Sequence, residues 1–69
     1  MTLTDYRNEL GWSQAELARH AGISNPTAGK AERGEPINGK TANLICRAIS
    51  KALGRQVTIR DIEGLNVVV

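Results

Sequence analysis

Two consecutive helix-start signals separated by a glycine constrain the fold of this chain more than any other feature. Ser13 followed by Glu16 is a capping-box pattern, in which each side chain satisfies a free backbone N–H of the other residue. Gly22 is free to adopt a positive φ and so end the helix that begins after Ser13. Another helix begins near Ser24 or Asn25. Residues 11–34 therefore predict two short helices that meet at a tight turn.

The hydrophobic residues around this turn agree with the capping signals. Trp12 and Leu17 are spaced as a hydrophobic staple for the first helix, and Ile23 is placed to fill the corner. Two capped helices around such a turn form a helix-turn-helix, whose second helix can enter a DNA major groove. Sequence recognition on duplex DNA is the leading hypothesis.

Length and composition indicate one small domain. The chain has 69 residues, of which 41% are apolar, and this is enough for one core of small aliphatic side chains. The net charge of +2 does not by itself indicate a nucleic-acid partner. Cys46, the single cysteine, lies in an apolar run and is expected to be buried. No run approaches the roughly 20 apolar residues of a membrane span, and no signal-sequence pattern is present, so a soluble, cytoplasmic protein is expected.

The apolar periodicity predicts an all-α domain of five helices. The predicted helices cover residues 2–10, 14–21, 26–33, 40–53 and 59–63. Thr58 and Asp61 form a capping-box pattern at the start of the last helix. The domain is predicted to cover residues 1–66, and residues 67–69 form a short apolar tail, Val67-Val68-Val69, which is β-prone.

A set of residues spread along the chain carries a resemblance to a known family. They are Arg7, Gly11-Trp12-Ser13-Gln14, Glu16-Leu17-Ala18, Ala21-Gly22-Ile23-Ser24, Thr27, Glu32-Arg33-Gly34 and Lys51-Ala52-Leu53-Gly54. In this spacing the chain resembles the Cro/CI-type (XRE) helix-turn-helix family from about residue 3 to residue 62. The resemblance implies a compact five-helix, lambda-repressor-like DNA-binding domain, in which the second and third helices form the helix-turn-helix.

The resemblance also implies which residues meet DNA. Gln14 falls where the second helix touches phosphate, Arg33 where the third helix ends at the sugar-phosphate backbone, and Lys40 where relatives place a cation against the minor groove. The base-facing positions of the third helix are Asn25, Pro26, Gly29 and Lys30, with Ser24 and Thr27 at its start.

Structural roles account for several other polar residues. By the same resemblance, Arg7 and Glu32 form an ion pair that ties the first helix to the end of the third. Ser13 is better explained as a cap than as a nucleophile, and His20 has no second ligand that would indicate a metal site. Lys40 either meets a phosphate, which would offset its unfavourable position at a helix start, or is simply solvated.

The third helix departs from the family and leaves two alternatives open. A residue that precedes proline avoids the helical region, so Asn25 either caps the helix or reads a base. Ala28, Gly29 and Ala31 are smaller than the family's usual residues. The helix is therefore either soft until it meets DNA, or packed closely enough for Gly29 to approach a base pair.

The predicted function is a sequence-specific transcriptional regulator, a repressor that binds its operator as a homodimer. The dimer surface is expected in the fifth helix or the tail, which either pairs antiparallel across the twofold axis, packs on its own chain, or is disordered. The alternatives are an antitoxin-type regulator whose tail also binds a protein partner, and an adaptor that keeps the fold without reading bases. No acid–base pair, metal cluster or phosphate loop supports an enzyme, and no cofactor is expected.

Overall fold

The path of the chain is set by four α-helices in the part that a computed structural model describes, residues 1–68. They are Leu3–Glu9 (α1), Gln14–Ala21 (α2), Asn25–Glu32 (α3) and Gly39–Leu53 (α4). Two short strands, Ile37–Asn38 (β1) and Val67–Val68 (β2), and one 3₁₀ turn, Ile59–Asp61, complete the described architecture. The first four predicted helices are confirmed, with ends that differ by at most one residue. None of the described helices is long and apolar enough to cross a membrane.

The local signals that start and stop α2 form as predicted. The Ser13 N–H donates to Glu16 Oε1 at 2.9 Å, and the Glu16 N–H donates to Ser13 Oγ at 3.1 Å. Gly22 ends the helix with a φ of 73°, which a residue with a side chain rarely adopts. Thr2 and Asp5 form the same reciprocal box at the start of α1. The contacts of Ser13 with Glu16 join residues only three apart, which is why the sequence predicts them.

The predicted fifth helix over residues 59–63 is a single 3₁₀ turn in the structure. The N–H of Asp61 donates to the Thr58 carbonyl at 3.0 Å, and the N–H of Ile62 donates to the Ile59 carbonyl at 3.2 Å. The next amide, of Glu63, donates instead to the Met1 carbonyl at 2.9 Å. Because this bond draws the chain toward the N-terminus, the turn cannot lengthen into an α-helix.

The apolar tail packs on its own chain. β2 pairs in parallel with β1, with Ile37 opposite Val67 and Asn38 opposite Val68, and the Ile37 N–H donates to the Asn66 carbonyl at 2.9 Å. Residues 37 and 38, which lie between the predicted third and fourth helices, thus form a strand, and Val67 and Val68 join the domain rather than extending from it. Val69 lies outside the described residues.

The core is built from small aliphatic side chains, as the composition predicts. Its largest fully buried members are Leu17, Ile45 and Ile49. Five of the fourteen buried hydrophobic residues are alanines: Ala18, Ala21, Ala28, Ala31 and Ala42. Short side chains let helix backbones approach closely, so α2 can pack against both α3 and α4. Cys46 is buried in this core, and its burial raises the pKa of the thiol.

The capping carboxylates make a pH dependence predictable. Backbone N–H donors from Thr2, Ser13 and Thr58 hold the pKa values of Asp5, Glu16 and Asp61, respectively, below their usual range. For an acid whose folded pKa is lowered, the stabilisation is complete above its unfolded pKa, about 4, and is lost as the pH falls through the folded value.

We expect the melting temperature to fall as the pH drops below about 4. Glu16→Gln keeps an acceptor oxygen for Ser13 but cannot titrate, so this variant should lose less stability on acidification than the parent chain. Circular dichroism melts from pH 7 to pH 2 measure both curves. Parallel curves for the two proteins would show that the capping carboxylate does not contribute.

Candidate nucleic-acid interface

The N-terminal ends of α2 and α3 are joined by one side chain. Gln14, the first residue of α2, donates from Nε2 to the backbone carbonyl of Asn25 at 3.3 Å. Asn25 is the first residue of α3, so this exposed bond bridges the two helix starts. The two helix starts therefore form one adjoining surface for a molecule that contacts both of them.

The first turn of α2 offers backbone donors to an anion. The capping box uses the amides of Ser13 and Glu16, and the Leu17 amide donates to the Ser13 carbonyl at 3.0 Å. Gln14 and Ala15 precede the first intrahelical bond, and their amides have no acceptor among residues 1–68. Two free amides at a helix start, where the dipole is positive, are suited to a phosphate oxygen.

Ser24, and not Asn25, caps α3. Ser24 Oγ accepts from the Thr27 N–H at 3.2 Å and lies 2.7 Å from Thr27 Oγ1. The interpretation of Asn25 as the cap is therefore wrong, because α3 begins one residue earlier than that interpretation requires and Pro26 takes the second helical position. The Asn25 side chain is exposed and makes no hydrogen bond within the described residues. Its amide is free for an external partner.

Gly29 lies beneath two polar side chains. It is buried although its helix is on the surface, and a Cβ placed on it would lie 3.1 Å from Gln14 Nε2 and 3.0 Å from Arg33 Nη1. The absence of a side chain thus makes room for Gln14 and Arg33 to lie across α3. The neighbouring Ala28 and Ala31 face the core, where both are buried.

A prediction follows for Gly29→Ala, whose effects on folding and on DNA binding should have opposite signs. Alanine in a helix is about 1 kcal/mol more favourable than glycine, and the crowded atoms are the far ends of flexible side chains. The free energy of unfolding should therefore rise. Affinity for duplex DNA should fall several-fold, because Gln14 and Arg33 must move. Urea denaturation and fluorescence-anisotropy titration measure the two effects. Lower stability together with unchanged affinity would contradict this account.

The three cations that the sequence assigns to DNA are all exposed. Lys30 is exposed on α3, and Lys40 is exposed at the second position of α4, next to the Asn38 cap. Arg33 ends α3, and its Nε donates to Glu35 Oε2. The sequence did not lead us to predict Glu35 as the partner of Arg33 or Asn38 as the cap of α4. The signals were present: an opposite charge two residues after Arg33, and an Asn-Gly pair directly before a periodic apolar run.

A largely buried ion pair holds α3 against the rest of the domain. Arg7 Nε lies 3.0 Å from Glu32 Oε1, and this oxygen also accepts from Thr4 Oγ1 at 2.8 Å. A second guanidinium nitrogen, Arg7 Nη1, donates to the Trp12 carbonyl at 2.9 Å. The pair joins α1 to the last turn of α3 and, through Trp12, to the start of α2.

Comparison with known protein families identifies a match to this chain. The family model of the helix-turn-helix matches residues 3–57, which is more than half of the chain. No curated protein and no solved structure shows significant similarity to this chain. The matched range contains α1 to α4 and every predicted DNA-binding residue, from Gln14 to Lys40.

Proposed function

This chain belongs to the Cro/CI-type (XRE) helix-turn-helix family, and we propose that it is a repressor that binds a specific operator as a homodimer. Membership in the family makes it a DNA-binding transcriptional regulator. The repressor role, the dimer and the residue roles given below are our proposal. We also propose that it acts in the cytoplasm, where duplex DNA is accessible.

The observation that carries the proposal is the bridge that Gln14 makes between the start of α2, with its two free amides, and the exposed face of α3. Gln14 lies on both, through its bond to Asn25 and its position over Gly29. Phosphate contacts set the register of a protein on DNA, and base contacts specify the sequence. With the two surfaces joined, a phosphate held at α2 fixes where the side chains of α3 meet the bases.

Each predicted residue has a physical role in this arrangement. Asn25 and Lys30 are the base readers, an amide suited to adenine and a cation suited to the O6 and N7 of guanine. Pro26 contributes an apolar surface beside them, and Ser24 and Thr27 hold the start of the helix through their mutual hydroxyl contact. Gln14, Arg33 and Lys40 contact the sugar-phosphate backbone, and Gly29 provides the space that Gln14 and Arg33 occupy.

The open edge of β2 is the proposed dimer surface. The Asn66 carbonyl faces β1, since it accepts the Ile37 N–H, and backbone groups alternate in direction along a strand. The N–H of Val67 therefore faces away from β1. An antiparallel β2 from a second copy can pair with this edge across a twofold axis, and the exposed Val68 adds apolar area. A second role of the tail, in binding another protein, stays a prediction.

Val67→Pro tests this surface without removing the strand. Proline is tolerated on an edge strand where its missing N–H faces solvent, so the bond between Ile37 and Asn66 should persist. We expect the dimer dissociation constant, measured by sedimentation equilibrium, to rise about tenfold, which corresponds to about 1.4 kcal/mol. Val67→Thr serves as the control because it keeps the N–H. Equal association of the parent and the proline variant would place the dimer contact elsewhere.

Enrichment of a random duplex library by the purified protein, at about 0.15 M salt, tests the function itself. A pseudo-palindromic enriched site, with half-sites about one helical turn apart, is the expected result, because two α3 helices related by a twofold axis reach successive major grooves. Enrichment of a single half-site would contradict the dimer but keep base reading. Binding without enrichment, or no binding, would overturn the proposal of a sequence-specific repressor.

A further inference from the structure

A groove runs along the side of α4 and is not part of the DNA-facing surface. Two open cavities, of about 1210 and 390 Å³, share the lining residues His20, Ala48 and Lys51 and so form one continuous depression. We call it the α4 groove. It extends from Trp12 at one end to Arg60, next to the 3₁₀ turn, at the other.

The floor of the α4 groove is apolar. Leu44, Ala48 and Ile59 line it and are each only partly buried, so the fold leaves part of their surface without a partner. At the Trp12 end of the groove, the ring of Trp12 stacks on the ring of His20, with centroids 4.2 Å apart and planes 7° from parallel. An aliphatic side chain from a partner would find apolar surface at these residues.

The rim of the α4 groove carries charge of one sign. Arg47, Lys51 and Arg60 line it and are exposed, and none of the described lining residues is acidic. The chain as a whole is nearly balanced, with nine Lys and Arg against seven Asp and Glu, so this separation is local. The carboxylate of the adjacent Asp61 accepts a hydrogen bond at Oδ2 from the Thr58 N–H, at 2.9 Å.

The groove is separated from the residues assigned to DNA. Its α4 lining begins at Asn43 and ends at Ala52, whereas Lys40 lies about one turn before Asn43, at the start of the helix. From Lys40 to Lys51 the rise along α4 is about 16 Å, at 1.5 Å per residue. None of the predicted DNA-binding residues lines either cavity. A partner in the groove would therefore leave α3 free to reach DNA.

We propose that the α4 groove docks an acidic, amphipathic segment of a partner protein. Carboxylates of the segment pair with Arg47, Lys51 and Arg60, while its aliphatic side chains cover Leu44, Ala48 and Ile59. An apolar floor favours such a segment over nucleic acid, whose backbone would use only the cations. The inference goes beyond DNA recognition and does not depend on it.

The single tryptophan makes the proposal directly measurable. Trp12 lines the groove and is the only tryptophan of the chain, so its emission reports occupancy. The probe is a two-heptad helical peptide with leucines at helical spacing and glutamates elsewhere. Two control peptides replace the glutamates with lysines or the leucines with serines. We expect the Glu/Leu peptide alone to shift the Trp12 emission saturably, with an affinity that falls as salt rises. Equal binding of the Glu/Ser peptide, or no binding of the Glu/Leu peptide, would overturn the proposal.

Matched charge reversals separate the groove from general attraction to a basic protein. Lys51→Glu and Arg19→Glu change the net charge equally, and both residues are exposed on helices, but Arg19 does not line the groove. Lys51→Glu should weaken peptide binding at least tenfold, and Arg19→Glu less than threefold. Arg47→Glu is a second groove variant, should the first fold poorly by circular dichroism.

Two further outcomes would replace the proposal with another occupant. If Lys51→Glu weakens binding of a random duplex as strongly as it weakens the peptide, the groove is a nucleic-acid surface. If it instead dissociates a dimer in sedimentation while the Glu/Leu peptide has no effect, the occupant is a second copy of this chain. Either result overturns docking of an acidic segment.

Discussion

Arg7→Met is expected to destabilise the folded domain by about 3 kcal/mol, a large fraction of the total for a chain of this length. The Glu32 side chain is 9% exposed, so removal of Arg7 leaves a buried carboxylate with only Thr4 as a donor. Its second oxygen, Oε2, already has no hydrogen-bond partner among the described residues. The cost lies at the low end for a broken buried pair because the Arg7 side chain is 19% exposed.

Urea denaturation followed by circular dichroism measures this effect, and a double variant identifies its cause. Replacing both partners, as Arg7→Met with Glu32→Leu, removes the stranded charge and should recover most of the lost stability. The double variant remains informative even if the single variant does not fold. A change below about 0.5 kcal/mol for Arg7→Met would mean that the pair behaves as an exposed surface bridge.

The parts of this fold that the sequence predicts are those held by contacts a few residues apart. The box of Ser13 and Glu16 closes between residues three apart, and Gly22 needs only its own freedom at positive φ. Such signals fix the ends of α1, α2 and α4 to within one residue. That the core is aliphatic also follows from composition, because the chain has no Phe, one Trp and one Tyr.

The features that the sequence does not predict depend on residues far apart in the chain. The pairing of β1 with β2 joins Ile37 to Val67, and the end of the 3₁₀ turn depends on a bond from Glu63 to Met1. Both strands have two residues, too short for a period-2 pattern to be visible.

The candidate site divides in the same way. The exposure of Lys30 and Lys40 follows from their residue type. Ser24 was one of the two residues predicted to start α3. The burial of Gly29 depends instead on Gln14, a residue on the preceding helix, whose side chain reaches across the turn. A single sequence does not say which of several polar side chains takes that position.

Lys30→Ala and Lys40→Ala are expected to weaken DNA binding in two different ways. Lys30 lies exposed on α3, where a cation reads guanine, so its loss should cost about 1–3 kcal/mol at each half-site and relax preference at one base position. Lys40 is the second residue of α4, whose first turn carries no acidic residue. Its loss should lower affinity on every sequence and reduce the salt slope by about 1 per half-site.

Titration of the enriched site, single-base variants of it and an unrelated duplex, each at several salt concentrations, separates the two effects. Lys51→Ala is the control, because it removes the same side chain from the α4 groove and should leave every DNA affinity unchanged. If Lys30→Ala and Lys40→Ala lower all affinities equally, neither residue reads bases, and specificity would have to come from Asn25 or from DNA shape. If Lys30→Ala alone changes the base preference, α3 is the reading helix, and the uniform loss from Lys40 identifies a phosphate contact at the start of α4.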